Sequence, residues 1–187
     1  MFLLLNLILV SCLHSQTSGK TYTNKKNGFK FNYPADFEVL AAAKAKSETA
    51  FGDPGAGTKL VSVTPMHIPG KYHGNYEFNV WQSSDPKSKC GEPVNGEHVG
   101  NISVEAPEAE KTKSIGGHTF YTYNGSEGGM SKTLELSGYR GLVAGKCWQI
   151  QSVSYQVSAF ASFKYFDSKI IEKAFEKFVS SFKFTVK

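Results

Sequence analysis

The sequence contains very little arginine. Arg140 is the single arginine among 21 basic residues, and the densest basic cluster is Lys25-Lys26. Arginine makes the commonest specific contact with base edges, so the sequence does not indicate a nucleic-acid-binding protein. The formal net charge of +5 is that of an ordinary soluble protein, although a mild positive excess also favours anionic partners such as lipid headgroups.

Long apolar stretches are absent as well. A transmembrane helix needs about 20 consecutive apolar residues, whereas the longest apolar run, at residues 2–10, reads FLLLNLILV. A run of this length is typical of the apolar region of a secretory signal peptide, although no Lys or Arg precedes it, as one usually does. We therefore expect the chain to be exported.

The end of this run, Leu9-Val10-Ser11-Cys12, resembles a bacterial lipobox. The resemblance implies cleavage before Cys12 and attachment of diacylglycerol to its thiol, and several acyl chains together anchor a protein stably. The predicted organisation is a signal peptide over residues 1–11, lipidated Cys12 with a flexible tether over 12–26, and a single domain over 27–187. The alternative is a soluble secreted protein, cut near Thr17-Ser18-Gly19. Either route places the mature protein outside the cytoplasm, at the cell envelope or in the periplasm.

Cysteine is scarce, with three residues in the chain. If Cys12 is lipidated or removed, Cys90 and Cys147 remain, and an exported domain with two cysteines is expected to form one disulfide. Closing the loop between them would destabilise the unfolded chain by about 4 kcal/mol in the chain-entropy model. Two free thiols or a metal-binding pair are the alternatives, which the absence of Cys-x-x-Cys disfavours.

No catalytic or cofactor motif stands out. The sequence has no Gly-x-Ser-x-Gly, and its glycine-rich segment at residues 52–57 lacks the Lys-Ser or Lys-Thr of a phosphate-binding loop. We expect a non-enzymatic protein with no metal and no cofactor, and an unrecognised hydrolase is one alternative. The histidines, which show no metal-ligand motif, are His14, His67, His73, His98 and His118.

Alternating apolar and polar residues predict β-strands along most of the chain. Asn124-Gly125 and Gly128-Gly129 predict turns, Ala144-Gly145 predicts a hairpin, and the polar stretch at residues 83–101 predicts a long loop. The predicted strands cover residues 28–34, 37–40, 59–66, 76–81, 118–123, 131–142, 145–157 and 182–186.

One segment has the spacing of an α-helix. Apolar residues recur at helical intervals over residues 168–180, and Asp167 is a good N-cap. The order of elements predicts an α+β fold with a largely antiparallel β-sheet and a helix packed on one face, followed by a strand.

The two ends of the chain resemble the PsbP-like family, which is named for an extrinsic protein of photosystem II. The resemblance lies in residues 28–34, GFKFNYP, and in residues 174–184, AFEKFVSSFKF. Tyr139-Arg140 and residues 145–148 resemble an uncharacterised exported bacterial branch. The resemblance implies an antiparallel sheet flanked by helices in an α/β/α sandwich, and a binding or assembly role without enzymatic activity.

A group of aromatic residues and one cation lie on neighbouring predicted strands. If they share an exposed face, they form a platform for a protein partner, since Tyr, Trp and Arg dominate binding hot spots. The alternative is that most of them fill the core. The candidate partner-binding residues are Tyr123, Tyr139, Arg140, Trp148 and Tyr155.

These observations favour a lipid-anchored module of the cell envelope. We expect it to bind a protein partner or to assist assembly, without catalysis. The alternative function is extracytoplasmic binding of a small ligand, in a pocket between the sheet and the long loop.

The predicted export can be checked on protein taken from cells. We expect the intact mass to lack residues 1–11 and to include a lipid on Cys12, and we expect no alkylation of Cys90 or Cys147 before reduction. Mass spectrometry with and without reductant measures both. A chain that retains Met1 and carries both cysteines as free thiols would contradict the prediction.

Overall fold

A computed structural model describes residues 19–41, 57–66, 74–83, 90–94, 96–99, 102–108, 111–129, 132–157 and 167–185. These residues form twelve β-strands and one α-helix, with every strand pair antiparallel. None of the described helical residues makes a helix long and apolar enough to span a bilayer.

The strands and the helix follow one another along the chain in a simple order. They are β1 (Lys20–Asn24), β2 (Phe29–Tyr33), β3 (Phe37–Ala41), β4 (Thr58–Pro65), β5 (Gly74–Ser83), β6 (Glu97–Val99), β7 (Ile102–Glu105), β8 (Thr112–Ile115), β9 (His118–Gly129), β10 (Lys132–Val143), β11 (Lys146–Val157), α1 (Ser168–Ser180) and β12 (Lys183–Phe184).

The strands form two sheets. The small sheet has three strands in the order β1-β2-β12, and the large sheet has nine, in the order β3-β4-β5-β11-β10-β9-β7-β6 with β8 paired to β9. The long hairpin of β10 and β11 lies near the middle of the large sheet. Ala144 and Gly145 form its turn with φ values of 50° and 72°. Two positive φ values match the twist of a two-residue hairpin, so the predicted hairpin is confirmed.

The main hydrophobic core lies between one face of the large sheet, the small sheet and α1. Phe29 and Phe31 of β2 stack on Phe182, with ring centroids 5.4 Å and 5.8 Å apart. Phe31 also meets Phe178 of α1 at 4.6 Å, and Phe29 meets Trp148 of β11 at 5.5 Å. Each such aromatic pair adds about 0.5–1.5 kcal/mol beyond the burial of its area. Aromatic contacts therefore connect the large sheet, the small sheet and α1.

The helix α1 begins and ends as its sequence predicts. The Asp167 side chain accepts a hydrogen bond from the backbone N–H of Lys169 at 3.0 Å, which satisfies one free donor of the first turn. The buried side chains recur at helical intervals, so one stripe of the helix faces the sheet. They are Ile171, Phe175, Phe178 and Val179.

The antiparallel sheet and the C-terminal helix and strand are confirmed, but a sandwich flanked by helices is only partly present. In the described part of the chain, α1 and the small sheet both pack on the same face of the large sheet. On the opposite face, Val94 packs with Ile102 and Val104 of β7, a strand of the same sheet, in a second apolar cluster. The segment of residues 41–50 could, from its sequence, be a short helix or an extension of the preceding strand. Ala41 is the last residue of β3, and residues 42–50 lie outside the described residues.

The structure differs from the sequence prediction in several places. Strands β7 and β8 lie in residues 102–115, for which no strand is predicted. Part of the predicted tether, Lys20–Asn24, forms strand β1 and pairs with β2. Strand β9 continues through both Asn124-Gly125 and Gly128-Gly129, where the sequence predicts turns. The predicted loop at residues 83–101 contains the short strand β6. In each case pairing with a neighbouring strand outweighs the local preference for a turn or an irregular chain.

Replacement of Phe178 should test how strongly the aromatic core stabilises the fold. We expect Phe178→Ala to lower the free energy of unfolding by about 3–5 kcal/mol, because it leaves a cavity between β2 and the large sheet. Urea denaturation measures the change. On the same helix, Ile170 is 64% exposed, so Ile170→Ala should change the free energy by less than about 0.5 kcal/mol. Equal effects of the two changes would contradict this core assignment.

Candidate functional site

The two faces of the β10–β11 hairpin have different chemistry. Because successive side chains of a strand point to opposite faces, Tyr139 and its cross-strand partner Ile150 belong to the main core. Arg140 and its partner Gln149 point to the other side. We call these the helix face and the far face of the large sheet.

The five residues predicted to bind a protein partner do not form an exposed platform. Tyr139 and Trp148 lie on the helix face within the core, and are 6% and 1% exposed. Tyr123 and Arg140 lie on the far face and are 1% and 6% exposed, while Tyr155 is half-buried on that face. The alternation of the strands divides the set between two faces, and other elements cover both faces, so the core alternative describes most of these residues.

A buried polar cluster occupies the middle of the far face. The hydroxyl of Tyr123 lies 3.1 Å from Oε1 of Gln151 and 3.3 Å from Oε1 of Gln149, and donates its proton to them. Gly138 lies directly across from Tyr123. A Cβ at Gly138 would stand 2.7 Å from the Tyr123 ring, so only glycine leaves room for that ring.

The disulfide predicted between the two downstream cysteines is present and secures the cover of the far face. Cys90 is bonded to Cys147 of β11, with their Cα atoms 5.5 Å apart. Arg140 donates from Nη2 to the carbonyl oxygens of Glu92 and Pro93, each at 3.2 Å. A second apolar cluster forms beneath this cover, and its buried members are Val94, Ile102, Val104, Tyr123, Leu136 and Val153.

Further along the far face, one carboxylate collects three donors. Glu77 pairs with Lys59 at 3.3 Å, and accepts from the Ser62 hydroxyl at 2.8 Å and from the Asn79 amide at 2.7 Å. Lys59 is almost fully buried, and an unpaired charge there would be costly. Glu77 satisfies the donors of Lys59, Ser62 and Asn79, while Oδ1 of Asn79 has no hydrogen-bond partner among the described residues.

A groove of about 990 Å³ opens on the helix face between the large sheet, α1 and the β7–β8 connection. We call it the α1 groove. Strands β9, β10 and β11 form its floor with Thr122, Asn124, Gly125, Ser126, Glu135, Leu136, Ser137, Gly138, Tyr139, Ser152 and Ser154. Its walls are Glu105, Ala106, Pro107 and Glu108 on one side, and Ser168, Ile171, Glu172, Phe175 and Glu176 on the other.

The floor of the α1 groove contains hydroxyls without a partner. Ser154 is 4% exposed, and its Oγ has no hydrogen-bond partner among the described residues. Thr122 is partly buried, and its Oγ1 also has no hydrogen-bond partner among the described residues. A buried polar group left unbonded costs about 1–3 kcal/mol, so a ligand that bonds to these hydroxyls would recover part of that energy.

The rim of the α1 groove is acidic. Glu176 accepts from the Tyr139 hydroxyl at 2.6 Å and forms an ion pair with Lys113. The other four carboxylates of the groove have no ion pair within the described part of the chain, where the pairs are Lys59–Glu77 and Lys113–Glu176. They belong to Glu105, Glu108, Glu135 and Glu172.

Sequence reasoning did not identify the α1 groove. Its acidic residues come from the β7–β8 connection, β10 and α1, and no motif links them. One signal was available, because Ser152 and Ser154 occupy helix-facing positions of a strand whose helix-facing neighbours Trp148 and Ile150 are apolar. Serine at two successive core-facing positions indicates that the core ends there and a polar space begins.

Some residues singled out in the sequence lie outside the described structure, among them Cys12, His14, His67 and His73. Among the described residues, no three His, Cys, Asp or Glu side chains come together in a way that could hold a metal ion. The ring of His118 packs edge-on against Phe184, with centroids 5.4 Å apart.

A scan against protein-family models gives no match, and a search of curated protein sequences gives none either. Solved structures are similar in fold, among them the three that follow. LpqN, involved in cell envelope biogenesis of Mycobacterium tuberculosis, is 9% identical with a TM-score of 0.47, over 90% of this chain and 91% of LpqN. Cyanobacterial PsbP from Synechocystis is 14% identical with a TM-score of 0.44, over 94% of this chain and 98% of PsbP.

The third structure comes from Bacteroides thetaiotaomicron. It is 9% identical with a TM-score of 0.44, over 90% of this chain and 49% of that protein. A cyanobacterial PsbP is thus among the similar structures, and PsbP-like is the family that the two chain ends resemble. With TM-scores below 0.5, these likenesses do not bear on what the chain binds.

The buried hydroxyl of Tyr123 should make stability fall at alkaline pH. Burial raises the pKa of Tyr123, and the nearby Arg140 opposes this only in part. The stabilisation is complete below the pKa of an unfolded tyrosine, about 10, and is lost as the pH rises toward the folded value. We expect the free energy of unfolding to fall above about pH 10, by up to roughly 1.4 kcal/mol per pH unit for this group.

Urea denaturation of Tyr123→Phe between about pH 9 and 11 should show a shallower fall, with a remainder from Tyr76, whose pKa is raised by burial and by Asp36. Tyr33→Phe, at a half-buried position of β2, is the control and should keep the steeper fall. An identical slope in Tyr123→Phe and the unmodified protein would contradict this assignment.

Proposed function

We propose that the chain is an exported, non-enzymatic binding module of the cell envelope, tethered to the membrane through a lipid on Cys12, which holds a small polar ligand in the α1 groove. The observation that carries this proposal is that the buried hydroxyls of Ser154 and Thr122, at the floor of the groove, have no hydrogen-bond partner among the described residues. A buried hydroxyl without a partner is unfavourable, and a polar ligand that bonds to it would recover part of that free energy.

The size of the α1 groove suits this function. Its volume of about 990 Å³ is at the upper end of the roughly 300–1,000 Å³ of typical small-molecule sites. Apolar side chains of Ile171 and Phe175 contribute to one wall, and hydroxyls and carboxylates line the rest. This mixture of apolar contact and a few directed polar groups is characteristic of small-ligand sites.

The chemistry of the groove favours binding over catalysis. A nucleophilic serine needs an adjacent base within hydrogen-bond reach. Ser154 has no hydrogen-bond partner among the described residues, and no His or Cys occurs among the residues that line the groove. A hydrolase mechanism with Ser154 as the nucleophile therefore lacks the adjacent base that would activate the hydroxyl.

Export is supported by the signal-like residues 2–10 and by the disulfide between Cys90 and Cys147. Disulfides form and persist in oxidising compartments outside the cytoplasm. Binding of a protein partner stays a prediction. The aromatic residues expected to form the partner-binding surface are largely buried and do not support it.

A ligand-observed NMR screen of the mature protein tests the groove. The probes are amines, amino acids, sugars and carboxylates of small size, each titrated to saturation. We expect at least one class to bind, and Asn124→Trp to abolish that binding, because Asn124 is an exposed residue on the groove floor and a Trp ring there would occupy the space.

Thr119→Trp is the matched control. Thr119 is also an exposed residue of β9 but does not line the groove, so this variant should bind as the unmodified protein does. If no probe class binds, or if both Trp variants bind equally well, the α1 groove is not a ligand site.

A further inference from the structure

The α1 groove has a charge opposite to that of the whole chain. The chain carries a formal net charge of +5, yet the groove residues include five Glu and no Lys, Arg or His. Lys113 pairs with Glu176 from outside the lining, which leaves four carboxylates without an ion pair in the described structure. A concave site lined by charge of one sign concentrates ligands of the opposite sign.

The positive charges close to the groove do not cancel this field. Ser168 at the N-terminus of α1 lines the groove, and a helix N-terminus carries about half a positive charge. The Asp167 carboxylate already caps that end. Lys169 and Lys173 are exposed on an adjoining part of α1 and do not line the groove. Lys111, whose carbonyl oxygen accepts from the backbone N–H of Thr122, is exposed and does not line the groove either. The lining itself therefore carries acidic side chains without basic ones.

The distribution of the carboxylates favours an extended ligand over a point charge. Glu105 and Glu108 belong to one wall, Glu172 to the other, and Glu135 to the floor. Within the described residues, no three acidic side chains are grouped closely enough to hold one metal ion. Several positive charges, spaced along a chain, would meet these separated carboxylates in turn.

The surfaces between the carboxylates fit the rest of such a ligand. Pro107 contributes to one wall, and Ile171 and Phe175 to the other, so apolar surface is available for methylene groups. The unbonded oxygens of Ser154 and Thr122 at the floor can accept hydrogen bonds from ammonium groups. These hydroxyls are an observation independent of the acidic rim, and a hydrogen-bonding ligand would supply their missing partner.

We infer that the α1 groove binds a linear aliphatic polyamine, with two or more ammonium groups separated by methylene chains. This inference rests on the proposed function and specifies its ligand class. The ammonium groups pair with the rim carboxylates and the Ser154 and Thr122 hydroxyls, and the methylene spacers lie against Ile171 and Phe175. No covalent step is involved.

Isothermal titration calorimetry with spermidine tests the inference on the mature protein. We expect saturable binding with one site, weaker binding of 1,4-diaminobutane, and none of succinate. Affinity should fall as salt is raised, because exposed charge pairs are screened. The variant Glu135→Gln/Glu172→Gln, which keeps the shape of both side chains, should bind spermidine at least roughly tenfold more weakly.

Glu127→Gln supplies the matched control. Glu127 is an exposed carboxylate on β9, opposite Leu134 of β10, and does not line the groove. We expect this variant to bind spermidine with the affinity of the unmodified protein. If it weakens binding as much as the double variant does, the attraction is a general charge effect and the inference fails.

The absence of spermidine binding would overturn the inference. If tetralysine peptide binds while spermidine does not, the groove is a peptide site. If spermidine fails while sugars or carboxylates bind and Asn124→Trp blocks them, only the ligand class is wrong. If no probe binds in either experiment, the proposed function fails as well.

Discussion

The pleat of the central hairpin is the constraint on which the rest of the structure depends. Strands β10 and β11 pair over their full length, so alternate residues are committed to opposite faces of the large sheet. Tyr139 and Trp148 meet α1 and the small sheet, whereas Arg140 bonds to the segment held by Cys90 and Gln149 accepts from the Tyr123 hydroxyl. A slip of one residue would exchange the two sets. The main core, the polar cluster of the far face and the α1 groove therefore all depend on the register in which β10 pairs with β11.

Local periodicity is enough to predict most of the elements. The helix α1 is predictable with its N-cap Asp167, because apolar spacing and a capping side chain act over a few residues. Strand β9 is predicted too short, ending at Asn124-Gly125, where turn chemistry is strong. In the folded protein a Cβ at Gly125 would stand 2.5 Å from the backbone oxygen of Ser103. This glycine is required by the close approach of β7, a tertiary contact that local sequence does not reveal.

The site is harder to predict than the fold, for a geometric reason. The pairing of β9 with β10 places Tyr123 and Tyr139 on opposite faces of the sheet. Sequence alternation does not tell which of the two faces another element covers. Both faces are covered, so the proposed aromatic surface is largely buried. The groove depends on where α1 passes over the sheet, and its carboxylates, such as Glu105 and Glu172, are distant in sequence. Only the paired serines, Ser152 and Ser154, mark the place where the apolar core gives way to a polar space.

The covalent link between β11 and residue 90 has a consequence for durability. Cys90 and Cys147 are 57 positions apart, and the stretch between them contains β6 to β10, including two of the three strands in the groove floor. If a peptide bond is hydrolysed at an exposed turn such as Gly116-Gly117, both fragments remain joined through sulfur. One internal cut there would therefore leave the two parts of the groove covalently connected.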